Sequence, residues 1–305
     1  GCPLLLNWDE QTLEKAFTKS SPLIFILANT RSLSSVLAVK KTREICSSIK
    51  KFFLRQGYSK DDYFYISRGD STLRGHGVVE PATLAEELGP FHATFHIPAF
   101  LEGGRTTENG IHYLNGIPVH KTDFGRDNIF GFSTSDLAKW IEEKSFGKIQ
   151  AENILHIEIK QLDMAFNNED GFKSLLGFLS KLENNISVVV DAKLPHHLET
   201  LARAIKVVSR EKKFLFRTAA SFINSLSELP PNPQDTADLV SLKSKNNEFE
   251  YKPGLIMVGS HVKLATDQLE VLLKDNSCEG LEIPVRKLAD IFSLDDCQDQ
   301  ISELE

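Results

Sequence analysis

Short apolar runs alternate along the chain with longer stretches in which apolar residues return every three or four positions. Residues 23–27 (Leu-Ile-Phe-Ile-Leu) predict a buried strand, and residues 32–56 predict a helix with Val36, Val39, Ile45, Ile49 and Phe52 on one face. Tyr63 to Ile66 reads as the next strand. A helix over 78–88 follows, stopped by Gly89-Pro90, and then a strand over 93–97. Further strands are expected at 154–159, 186–190 and 213–216, with helices at 133–144, 171–182 and 196–209 between them. Strands separated by helices imply a mostly parallel sheet with helices on both faces, a Rossmann-like three-layer α/β fold. Between the third strand and the helix at 133, residues 101–127 are polar and glycine-rich. They contain Asn115-Gly116, a pair suited to a tight hairpin turn.

The pattern weakens after residue 228. Residues 229–252 begin with a proline cluster and continue polar, as a linker would. Residues 253–305 then predict a strand at 254–259, a helix at 264–274, a strand at 281–283 and a short helix. Such a unit, about 50 residues long, is small for an independent core. It reads as the start of a second α/β domain after a first domain over 1–228.

Composition narrows the function. The 305 residues carry a net charge of −7, which argues against nonspecific nucleic-acid binding. No apolar run approaches the roughly 20 residues of a membrane span, so no membrane partner is expected. Cys2, Cys46, Cys278 and Cys297 show no C-x-x-C spacing and no secretory segment precedes them, which points to free thiols in the cytoplasm.

The residue run Ser67-Arg68-Gly69-Asp70-Ser71-Thr72-Leu73-Arg74-Gly75-His76 directly follows a predicted strand. Ligands of open α/β sheets bind at strand carboxyl ends. Arg68 and Arg74 can grip a carboxylate, while Asp70, Ser71 and Thr72 suit the hydroxyls of a polyol. The alternative is an ordinary loop ion pair. Gly103-Gly104-Arg105-Thr106-Thr107 follows another strand and offers glycine amides and a guanidinium to an anion, or is a plain surface turn. Asp123 and Asp127 flank Arg126, and Asn29 to Ser32, Asp191, Lys193, Arg217 and Thr218 stand at other strand ends. His92 and His96 share a strand face and read as satisfied or rim histidines, while His196-His197 is expected in solvent at a helix start. No metal site is predicted. Neither a G-x-x-x-x-G-K-[ST] loop nor a G-x-G-x-x-G fingerprint is present.

Ser67 through Gly75 resembles the S-R-x-D-S-T-L-R-G signature of the four-carbon acid sugar kinase family. Pro98-Ala99-Phe100, Gly104 to Thr107, His112-Tyr113, Asn115-Gly116 and 122–127 resemble that family's next block. Residues 216–222 and 254–262 resemble its later blocks. The resemblance implies ATP-dependent, Mg²⁺-assisted phosphorylation of a four-carbon sugar acid such as threonate, erythronate or an oxo-tetronate. It also implies a substrate site built from Ser67, Arg68, Asp70, Ser71, Thr72, Arg74, Gly104, Arg105 and Thr106. Asp70 is its candidate catalytic base, or a substrate hydrogen-bond acceptor, and Ser260 would stand at the nucleotide edge. A homodimer is one further expectation. The family's opening D-D-x-T-G-like turn and its glycine-rich nucleotide segments do not occur between Gly1 and Glu305. That leaves a second reading, a relative that binds sugar acids without catalysing their phosphorylation.

Overall fold

The computed structural model describes residues 2–19, 21–228, 254–260 and 263–287. By packing, the chain divides into two units, Gly1–Pro231 and Asn232–Glu305.

The first unit opens with β1 (Leu4–Leu5), α1 (Glu10–Phe17), β2 (Phe25–Ile26) and α2 (Ser35–Gln56). Ser34 caps α2 by accepting from the Leu37 amide, and Gly57, at φ 74°, ends it in the left-handed conformation that glycine tolerates. Next come β3 (Tyr65–Arg68), α3 (Val79–Leu88), β4 (Ala93–Ile97), β5 (Arg105–Glu108), β6 (Ile111–Leu114) and β7 (Ile117–Pro118). The remainder is α4 (Leu137–Lys144), β8 (Leu155–Ile157), α5 (Ile159–Asn167), α6 (Glu169–Ser180), β9 (Ile186–Val190), α7 (Pro195–Val208), β10 (Phe214–Thr218) and α8 (Ala220–Ser227).

Five strands form one wholly parallel sheet in the order β3-β10-β4-β9-β8. On one face Phe95, Phe214 and Phe216 pack among apolar residues of α5, α6, α7 and α8. On the other face Leu215 meets Cys46 of α2 and Leu88 of α3, while Val189 meets Leu137, Trp140 and Ile141 of α4. The expected three-layer α/β architecture is therefore present. Cys46 is fully buried, and burial pushes its thiol up to about 12, so it is an inert core residue.

The run 23–27 does not join this sheet. Only Phe25–Ile26 is strand, paired in parallel with Leu4–Leu5 over the Phe17–Phe52–Phe53 cluster, and Leu27 is exposed. The hairpin at Asn115-Gly116 forms as expected, with φ of 49° and 77° joining β6 to β7.

In the second unit α9 (Lys263–Leu272) forms close to its expected position. The strands expected at 254–259 and 281–283 do not form, and Leu255, Ile256, Met257 and Leu281 are exposed. A strand requires a hydrogen-bonded neighbour, and among the described residues neither segment has one. The linker expected at 229–252 lies outside the described residues. Among those described, no helix is long and apolar enough to cross a membrane.

Candidate functional site

β3 ends at Arg68, and the chain turns over the sheet's carboxyl edge in a loop tied from several sides. Gly69 N–H donates to the Thr218 carbonyl at the end of β10 (2.8 Å). A Cβ on Gly69 would lie 2.6 Å from Arg217 Nε, so glycine lets that guanidinium lie against the loop. The Asp70 carboxylate accepts from the Thr72 amide (3.1 Å), closing a local turn. Leu73 is buried and held at φ 65°, a left-handed conformation that is strained for a bulky residue. Its side chain packs with Val78, Leu137 and Trp140, so core contacts fix the loop's crest.

Two guanidinium groups converge on Asp70. Arg74 Nε donates to Asp70 Oδ2 at 2.9 Å and to Thr72 Oγ1 at 3.1 Å, and its plane lies 4.6 Å from the Phe124 ring. Arg31 Nη1 donates to the same Asp70 oxygen at 3.2 Å. Asp127 comes within 3.8 Å of Arg74. Its carboxyl is held below the usual range by the Phe130 and Ile129 amides, with help from Arg74 and Arg31. Asp123 is fully exposed and, among the described residues, joins only Arg126.

His112, on β6, locks this loop to the small antiparallel sheet. Its Nε2 lies 2.7 Å from the Ser71 carbonyl, which requires Nε2–H, so Nδ1 accepts from the Thr107 hydroxyl at 2.9 Å. Complete burial pushes the His112 pKa down to about 4, so the ring is neutral near pH 7.

Across the sheet, register places Ser67, Arg217, His96, Val189 and His156 side by side on one face, one layer below the loop. Arg217 Nη1 donates to Ser67 Oγ (2.7 Å) and to Glu80 of α3 (2.6 Å), and Thr30 also bonds Glu80. His156 Nε2 lies 2.9 Å from Asp191 Oδ1, which raises the His156 pKa. Asp191 also accepts from the Asn109 and Gly110 amides. His96, 4% exposed, has no partner for either ring nitrogen among the described residues, unlike the satisfied or rim histidine expected from sequence.

Asp70, Ser71, Thr72 and Arg74 thus stand together, joined by Arg31 and Asp127. Ser67 lies beneath them, spent on Arg217. Alternation along β3 sends Arg68 to the opposite face from Ser67, where it is exposed and unpaired among the described residues. Gly104, Arg105 and Thr106 lie at the start of the neighbouring hairpin. The Gly103 and Gly104 amides donate to Phe100 and Leu101 carbonyls, closing a turn, and are not free to hold an anion. The charge of Arg105 is nonetheless felt at His112. Ser260 is in the second unit, on an exposed segment without regular secondary structure.

Asp163, His196 and His197 cluster at α5 and α7. His197 is buried rather than solvated, and its Nδ1 accepts from the Lys193 and Leu194 amides. Its Nε2 therefore carries the hydrogen it donates to Asp163 (3.0 Å), leaving no lone pair for a metal.

The family model described as the sugar-binding N-terminal domain matches residues 3–226. The chain belongs to this family. The resemblance to the four-carbon acid sugar kinases is thereby borne out for the N-terminal domain. A 3-oxo-tetronate kinase of Brucella melitensis is 27% identical over 186 residues, covering 60% of this chain and 38% of that protein. Among solved structures, a Bordetella bronchiseptica DUF1537 protein, described as a domain-swapped dimer with bound citrate, matches with TM-score 0.56. It is 20% identical, with 74% of this chain and 51% of that one covered. A Haemophilus influenzae DUF1537 protein matches with TM-score 0.50 and 17% identity over 68% of this chain and 47% of that one. The chain thus spans two fifths to half of the length of these relatives.

Proposed function

We propose that the first unit is the sugar-acid site of an ATP-dependent kinase acting on a four-carbon sugar acid. The observation that carries this reading is the convergence of Arg31 and Arg74 on Asp70 at the carboxyl end of β3. Arg31 is largely exposed, and each guanidinium keeps N–H donors beyond those given to Asp70 and Thr72. An entering carboxylate would take those donors bidentately, and Asp70 would accept from a substrate hydroxyl or remove its proton. Ser71 lines the same turn for a further hydroxyl, while Thr72, which is buried, holds Arg74 in place from below. Arg68 and Arg105 add positive charge from either side, and Gly104 shapes the hairpin that carries Arg105. The 3-oxo-tetronate kinase relative supports the substrate class, and the relative with citrate supports an acid ligand and a dimer.

ATP with Mg²⁺ would supply the phosphoryl group and neutralise its charge. The carboxylates by the loop do not fit as a Mg²⁺ site, since Asp70 and Asp127 are engaged by guanidinium and amide groups. The nucleotide is proposed to bind the second unit, with Ser260 at its edge, and the protein to work in the cytoplasm.

The test is incubation of the full-length protein with Mg²⁺-ATP and a panel of threonates, erythronates and oxo-tetronates. A phosphorylated acid is expected, and none across the panel would sink the substrate class. The strand expected at 254–259 does not form among the described residues, which favours one alternative, a sugar-acid binder without kinase activity. Calorimetry showing acid binding with no nucleotide binding would support that alternative.

A further inference from the structure

Beneath the Asp70–Arg74 loop lies a recess with room for about one water-sized group, near 20 Å³, lined by Gly69, Asp70, Arg74, His96, Trp140 and Arg217 among others. Two of these side chains bring buried polar atoms that have no hydrogen-bond partner among the described residues: both ring nitrogens of His96, and Nε1 of Trp140. Both residues are 4% exposed. A buried polar atom left unpaired is costly, and an interior position on a parallel strand is ordinarily filled by an aliphatic residue. The adjacent Arg217 charge is spent on Glu80 and Ser67.

The chemistry of the lining selects the occupant. Burial and the nearby Arg217 push the His96 pKa down to about 3, so the ring is neutral and offers one N–H and one lone pair. A hydroxyl group, donor and acceptor at once, matches both. A carboxylate only accepts, and here it would also meet the Asp70 carboxylate. We propose that His96, with Trp140, forms a hydroxyl pocket under the candidate acid site, so that a sugar acid binds with one hydroxyl in the recess and its carboxylate above it at Arg31 and Arg74. This rests on the sugar-acid reading of the loop and deepens it. It assigns the substrate's orientation and makes His96 a positioning and specificity residue.

The test is calorimetric titration of the full chain with threonate, erythronate and their singly deoxygenated counterparts, the dihydroxybutyrates. For the wild type, removal of one particular hydroxyl is expected to weaken binding about tenfold, the value of a single neutral hydrogen bond at the upper end of its range. His96→Val should weaken the parent acid by a similar factor and abolish the preference for that hydroxyl. His96→Gln, which keeps a donor and an acceptor, should retain most of both. Should His96→Val bind the whole series as the wild type does, the recess holds only an internal water and the proposal fails, while weakened binding by Arg74→Lys would keep the acid site standing. Failure of the folded wild type to bind any of these acids would overturn the site reading and this inference with it. If His96→Val does not fold, the ring ¹⁵N shifts of His96 in the wild type decide the matter. Movement on adding threonate supports the pocket, and unchanged shifts overturn it.

Discussion

The burial of His112 makes the fold sensitive to acid, and the contact with the Ser71 carbonyl offsets only part of the effect. The unfolded chain takes up a proton on this imidazole near the ordinary value of 6.5, whereas the folded chain resists it until about 4. Between those values the unfolded state binds more protons, so stability falls as pH falls. The full gap of about 2.5 units corresponds to about 3 kcal/mol, of which about 2 kcal/mol is lost by pH 5. His96, buried in the same way, adds to the wild-type slope. His112→Gln separates the two, since its amide can still donate to the Ser71 carbonyl but takes up no proton. Urea unfolding of both proteins from pH 7.5 to 4.5 is the assay. At pH 7 the variant should be weaker by about 1–2 kcal/mol, from lost packing and the lost Thr107 bond. From pH 7 to 5, however, it should lose about 2 kcal/mol less than the wild type. Parallel curves for the two proteins would refute the reasoning. Sugar-acid affinity of the folded wild type should hold down to about pH 5, because the native ring stays neutral there and keeps its hold on the Ser71 carbonyl.

Two further predictions concern the surroundings of the loop. A Cβ at Gly77 would lie 2.1 Å from Trp140 Cη2, and the indole is a rigid neighbour in a packed cluster, so Gly77→Ala should cost about 1–3 kcal/mol. An unchanged melting temperature would show that α4 moves aside freely. Arg74→Lys keeps the charge but loses the Nε–H shared by Asp70 and Thr72, the planar fork left free for a carboxylate, and the stacking on Phe124. Sugar-acid affinity should fall about tenfold with stability nearly unchanged, and equal affinity would remove Arg74 from the acid site.

Local signals in the sequence served well where the cause of structure is local. The helix expected at 32–56 becomes α2, beginning three residues later behind Ser34, the apolar run at 186–190 becomes β9, and Asn115-Gly116 makes its hairpin. Strand order is not local. The insertion of β10 between β3 and β4 brings Arg217 against Ser67 and His96, residues 150 and 121 positions away in the chain, and no periodicity announces it. Arg31 reaches Asp70 in the same long-range way. Other features were within reach of simple rules. Two-residue alternation along β3 already separates Arg68 from Ser67, and Ser67, His96 and Arg217 are each polar at buried strand positions on one face. The amides of Gly103 and Gly104 could not be assigned from sequence, because a Gly-Gly turn reads alike whether its amides face an anion or a carbonyl.

The site therefore has two levels with different physics. The upper level is the loop, where Asp70 and the two arginines are partly solvated, so their mutual attraction is moderate and an incoming acid can compete for the guanidinium groups. The lower level is the strand layer, where the Arg217–Glu80 pair is almost fully buried and its partners cannot be exchanged cheaply. A ligand can reorganise the first level without disturbing the second. Charge selection is thus expected to reside in the loop. Discrimination among hydroxyl patterns should reside beneath it, where His96 stands neutral beside the Arg217–Ser67 pair with neither ring nitrogen partnered among the described residues.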